Sequence, residues 1–119
     1  MNAIGNTLCV CAVLAPIFLL TARAADTRHL SMPECDVAGQ VGFAAATVRD
    51  AGGVERDEHR KIDSYEPAYP RRELWLVTHD ITAFAYQHAE WPPQKVGVAI
   101  LEYCTGNQGD LSFAAQSEL

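Results

Sequence analysis

Residues 31–53, SMPECDVAGQVGFAAATVRDAGG, decide the fold. Ser31-Met32-Pro33-Glu34 has the S-x-x-E form of a capping box: the Ser31 hydroxyl can accept from the Glu34 amide, and the Glu34 carboxylate can reach back. Pro33 is tolerated there because first-turn amides have no intrahelical acceptor. Beyond the cap, Cys35, Ala38, Val41, Gly42, Ala45 and Val48 recur at i, i+3, i+4 spacing, one stripe of a helix. The stripe is made of small side chains, which predicts close approach to a neighbouring helix. Arg49-Asp50-Ala51-Gly52-Gly53 ends it, with glycine free to take the positive φ of a helix stop.

Downstream, Glu55 to Asp63 is dense in charge with Val54 and Ile62 as its apolar anchors, which fits a short exposed helix. Ser64–Pro70 holds Pro67 and Pro70 and reads as a connection. From Arg71, Leu74, Val77, Ile81, Phe84 and His88 keep 3-4-3-4 spacing, so a helix is expected, with Pro70 suited to its first turn. A strand over Leu74–Thr78 is the alternative; five in-phase positions over four turns favour the helix. Trp91-Pro92-Pro93 breaks it, and Pro93 can open a last helix carrying Val96, Ala99, Ile100, Tyr103 and Cys104, which stops at Thr105-Gly106-Asn107. Residues 25–30 read as a flexible arm and 108–119 as a frayed tail.

Upstream, Leu8 to Leu20 is an unbroken apolar run followed by Ala22-Arg23-Ala24. This is the form of a secretory signal with an A-x-A cleavage site, and the run is short of the roughly 20 residues that span a bilayer. The expected organisation is therefore a signal peptide at 1–24 and one helical domain at 25–119. The competing reading is an uncleaved amino-terminal anchor, since no Lys or Arg precedes the run; Pro16 within the run argues against a long helix there. Cleavage removes Cys9 and Cys11 and leaves Cys35 and Cys104, which in a periplasmic or secreted protein are expected to bond. Cys35 falls in the first turn of the first helix and Cys104 in the last turn of the last. An up-and-down bundle of three or four helices can bring those ends within about 7 Å. The predicted fold class is thus all-α, a small bundle with one disulfide. In the chain-entropy model that closure is worth on the order of 4 kcal/mol, large beside the roughly 5–10 kcal/mol that stabilises a small domain. The wide separation favours a structural bond over a redox-active pair.

Charge narrows the function. The chain carries a net charge of −6, one more negative once Arg23 is cut away, and has no cluster of Lys and Arg for nucleic-acid phosphates. No basic amphipathic stretch would hold the processed chain to a membrane. No nucleophile elbow, Walker loop, H-E-x-x-H or haem-attachment motif occurs, so neither an enzyme nor a cofactor is expected. Of the four histidines, His79 and His88 sit nine positions apart on one predicted helix, nearly opposite faces. A metal site would need His59, Asp63 or Glu90 as a further ligand. His88, on the apolar stripe, reads as a core or boundary imidazole. Tyr65, Tyr69, Trp75 and Trp91 form an aromatic set around the proline-rich connection. They read as packing over the bundle end or, more sharply, as a patch for a protein partner.

In layout the chain resembles a loosely defined group of small exported two-cysteine helical proteins of Gram-negative bacteria. The residues carrying the likeness are Cys35, Arg49-Asp50-Ala51-Gly52, the Leu74–Tyr86 helix, Pro93 and Cys104. More remotely it resembles the periplasmic acid-stress chaperone HdeA and immunity proteins of the Rap1a/Tai type, whose spacings differ; no functional residue is carried over from either. The resemblance implies the architecture, and the role expected of such a domain is binding another protein. The leading expectation is an inhibitor or immunity-like protein with a preformed acidic surface, which a basic partner would suit. An acid-activated chaperone comes second and a metal-assisted hydrolase third.

Overall fold

Ser31 caps the first long helix as its sequence predicts: its hydroxyl accepts from the Glu34 amide and its own amide donates to the Glu34 carboxylate at 2.8 Å. The computed structural model describes residues 27–113, so the leader, Cys9 and Cys11 lie outside the described residues, as does the tail from 114. In chain order there is a two-residue strand β1 (Arg28–His29) and then helix α1 (Met32–Asp50). Helix α2 (Glu55–Ser64) and a 3-10 turn (Glu66–Ala68) come next, followed by α3 (Arg72–Gln87), α4 (Pro93–Gly106) and strand β2 (Asp110–Leu111). The architecture is a small helical bundle with one disulfide.

α1 is the central element, packed on α4 and on α3, while α2 lies against α3. Its buried residues are Cys35, Ala38, Gly39, Gly42, Ala45 and Ala46. Val41 and Val48, expected on the buried stripe, are half-buried instead. Packing against two partners shifts the buried arc toward α4, and the valines line the trough beneath α2. Small side chains let α1 and α4 meet backbone to backbone: a Cβ on Gly97 would stand 2.9 Å from the Gly39 carbonyl oxygen. One turn away, Cys35 and Cys104 are joined by a disulfide with Cα atoms 5.6 Å apart, within the ordinary range. Ile81, Val96, Ile100 and Leu111 complete the core with no solvent exposure.

α3 begins at Arg72, with Pro70 just outside it, and no strand forms at Leu74–Thr78. Pro93 opens α4, as expected.

The ends differ from expectation. Residues 28–30 and 108–113, read as arm and frayed tail, are ordered. β1 pairs antiparallel with β2, Arg28 opposite Leu111 and His29 opposite Asp110. Leu30 and Leu111 are buried, and Phe113 packs on Phe84 with ring centroids 5.3 Å apart. Arg28 binds Asp80 at 2.8 Å, and Arg71 donates to the His29 carbonyl at 2.7 Å. Gly109 makes the turn possible: its φ is +93°, and a Cβ there would collide with the Leu30 carbonyl oxygen. Single apolar anchors and a two-residue pairing leave almost no periodic signal in a sequence.

Candidate functional site

Two surfaces carry features beyond packing. The first is the outer side of the α1–α4 seam. Because Gly39 and Gly97 have no side chains, the seam is a groove of about 440 Å³ floored by backbone. Phe43, Val98 and Leu101 line its walls, with Asp36, Gln40 and Gln94 around the rim. Phe43 is 43% exposed and Val98 51%. The disulfide lies one turn from Gly39, so these walls stand on the most firmly tied part of the bundle.

The second surface is the α2–α3 contact. α2 buries no residue completely. It covers a trough of about 200 Å³ lined by Val41, Ala45 and Val48 of α1, Thr78 and Thr82 of α3 and its own Ile62. Val41, Tyr69 and Thr78 also line a neighbouring apolar cavity of about 330 Å³ beside Leu74, Val77 and Ile81. Holding α2 in place, His59 Nδ1 and His79 Nδ1 stand 2.6 Å apart. The other ring nitrogens face carboxylates, His59 Nε2 against Glu55 at 3.0 Å and His79 Nε2 against Asp63 at 2.8 Å. Glu55, His59 and Asp63 follow at i, i+4, i+8 on one face of α2. The ring centroids are 4.9 Å apart with an interplanar angle of 13°. That exceeds the nitrogen separation by two ring radii, so the imidazoles meet edge to edge in nearly one plane with their Nδ1 atoms aimed at each other.

The sequence offers His59, Asp63 and Glu90 only as the further ligands a metal site would need; His59 and Asp63 do lie against His79, and Glu90 lies 3.7 Å from His88. A proton fits between the two Nδ1 atoms. A zinc ion does not, because Zn–N bonds of about 2.0–2.1 Å at a tetrahedral angle hold nitrogens roughly 3.3 Å apart. Among the described residues no group of three or more His, Cys, Asp or Glu could hold a metal ion.

The aromatic set is not one patch. Tyr65 is 65% exposed at the end of α2, Tyr69 lines the trough, and Trp75 packs edge-on against His79 with Arg72 over its face. Trp75 Nε1 is buried and has no hydrogen-bond partner among the described residues. Trp91 lies past the far end of α3, beyond roughly 18 Å of helix from Trp75 to Gln87. There it stacks on His88, with centroids 4.1 Å apart, and carries Lys95 on its face. His88 occupies the boundary position expected of it, between Phe84 and Trp91.

The sequence places Arg49 in the stop of α1 but does not foretell its contacts. Its side chain is only 7% exposed, and it donates to the carbonyls of Ala85 at 2.6 Å, His88 at 2.9 Å and Trp91 at 2.6 Å. The guanidinium fork thereby satisfies the orphan carbonyls at the end of α3 and fixes the turn into α4. Asp50 braces it at 2.9 Å. The only signal in the chain is an Arg in the last turn of a helix, which reads equally well as a dipole complement.

No protein-family model, curated protein or solved structure matches this chain. Among the described residues, no helix is long and apolar enough to cross a membrane.

Proposed function

We propose that this is an exported, non-enzymatic helical protein that acts by binding another protein, as an inhibitor or immunity protein does, through the outer α1–α4 groove. The observation that supports this is Phe43 and Val98 held in solvent on either wall of a backbone-floored groove. Exposed apolar side chains on a rigid frame lower the ordering cost of association, because little has to be immobilised on binding. Asp36 at the rim and the net charge of −6 favour a partner whose apolar ridge is flanked by Lys or Arg. A structural disulfide in a domain of this size fits an oxidising compartment, periplasmic or extracellular.

The test is recovery of the tagged full chain from the cell envelope at neutral pH. The wild type should bring down one stoichiometric partner that is released as salt is raised. The Phe43→Asp, Val98→Asp double variant, with its helical circular dichroism intact, should not. Equal recovery by wild type and variant would overturn the assignment to this groove.

A second reading, an acid-stress chaperone, draws on a different observation, the facing imidazoles of His59 and His79. Capture of many partners, at acid pH alone, would favour it.

A further inference from the structure

We propose that His59 and His79 share a single proton and act as a pH latch that keeps α2 closed over the apolar trough between α1 and α3. The latch rests on geometry and is independent of what the protein binds.

The proton inventory follows from the four contacts. Each Nε2 faces a carboxylate oxygen at hydrogen-bond distance, so each must carry a hydrogen to donate. That leaves the two Nδ1 atoms, aimed at each other at 2.6 Å, with one proton between them. Two lone pairs would repel there, and two N–H groups would collide. The closed state therefore holds three protons on four nitrogens: one imidazolium and one neutral imidazole with its hydrogen on Nε2. Adding a fourth proton places N–H against N–H and opens the contact. Removing the third forces one ring to surrender its carboxylate bond to keep the Nδ1 contact. Closure is strongest when one shared proton is present and weakens on the acid side as the second ring charges.

The remaining groups around the pair do not compensate. On α2 the neighbouring charges are Glu55 and Asp63, already bound to the pair, and Glu58, which pairs with Lys61 at 2.9 Å. On α3, Trp75 presents its ring to His79, Arg72 lies over Trp75, and Asp80 is engaged by Arg28. Apart from Ile62, little apolar surface holds α2 down, and none of its residues is fully buried. Its start is pinned by the Tyr86 hydroxyl donating to the Gly53 carbonyl at 2.8 Å. It is flanked by Gly52, at φ +93°, and by the 3-10 turn Glu66–Ala68. Opening at this contact joins the two cavities into one exposed trough lined by Val41, Ala45, Val48, Thr78 and Ile81.

Histidine is the side chain whose charge changes between about pH 5 and 8, so the full oxidised chain is examined across that window by hydrogen exchange corrected for intrinsic rates. Protection of the α2 amides should fall about tenfold or more between neutral and acid pH, the loss of one charge-assisted hydrogen bond, while α1 and α4 stay protected. His59→Gln, uncharged at every pH, should flatten that dependence. Nitrogen-15 shifts of the wild-type imidazoles at neutral pH, a measurement needing no variant, should show one imidazolium and one Nε2–H tautomer. PH-independent α2 protection, the same acid loss in His59→Gln, or two neutral rings at neutral pH would each overturn the latch.

Discussion

Gly39 and Gly97 lie back to back across the α1–α4 seam, each in the position where a Cβ on the other would strike its carbonyl oxygen, at 3.1 and 2.9 Å. Backbone atoms cannot rotate away, so a methyl group at either position must push the helices apart. Ala ordinarily gains about 1 kcal/mol over Gly in a helix, and overpacking a rigid seam costs about 1–3 kcal/mol. Gly97→Ala is therefore expected to destabilise on balance. Gly106→Ala, where nothing lies within 4 Å, should not. Urea midpoints of the two variants measure the contrast, and equal midpoints would contradict close backbone packing.

Arg49 ties three carbonyls from a different segment to the end of α1. Arg49→Ala leaves those acceptors without their charged donor, and hydrogen bonds to charged groups contribute about 1.5–3 kcal/mol each before relaxation. A loss of at least 2 kcal/mol is expected in urea unfolding, on the scale of removing one partner from a buried charged network. Arg49→Lys should recover only part of it, because a single ammonium cannot reach the carbonyls with the same planar fork. Full recovery by lysine would show that charge alone matters there.

Glu34 links the capping box to Arg71 and has its pKa lowered from 4.5 to about 2. The Arg71 hydrogen bond is the main cause, followed by the Ser31 amide. A carboxylate with a depressed folded pKa contributes stability that is complete above its unfolded value and lost as pH falls through the folded one. The difference in Tm between wild type and Glu34→Gln should therefore be constant above about pH 5 and shrink between about 4.5 and 2. A difference unchanged down to pH 2 would show that the carboxylate is not held by its charge.

Local signals made most of the frame legible. The Ser31–Glu34 cap, the positive-φ Gly52, the Pro93 start and the in-phase run from Leu74 to Phe84 each depend on a few adjacent residues. The small-residue stripe foretold close helix approach, and the expected loss of Cys9 and Cys11 pointed to Cys104 as the partner of Cys35. What stayed hidden depends on the register between segments. The β1–β2 pairing is two residues long and is fixed by Leu30, Leu111 and Gly109 acting together. The acceptors of Arg49 lie more than thirty residues away. The histidines' meeting required α2 to dock at one height on α3, which no periodicity specifies. The groove's walls, Phe43 and Val98, became a surface only once the crossing at Gly97 was known.

One covalent link underlies the α1–α4 seam, its groove and the proposed oxidising compartment, so peptide mapping without reductant is the most direct measurement. Full-length chain expressed in its native host and alkylated on recovery should yield one peptide pair joined through Cys35 and Cys104, with neither cysteine alkylated. Two alkylated cysteines, or a bond to any other thiol, would contradict the account.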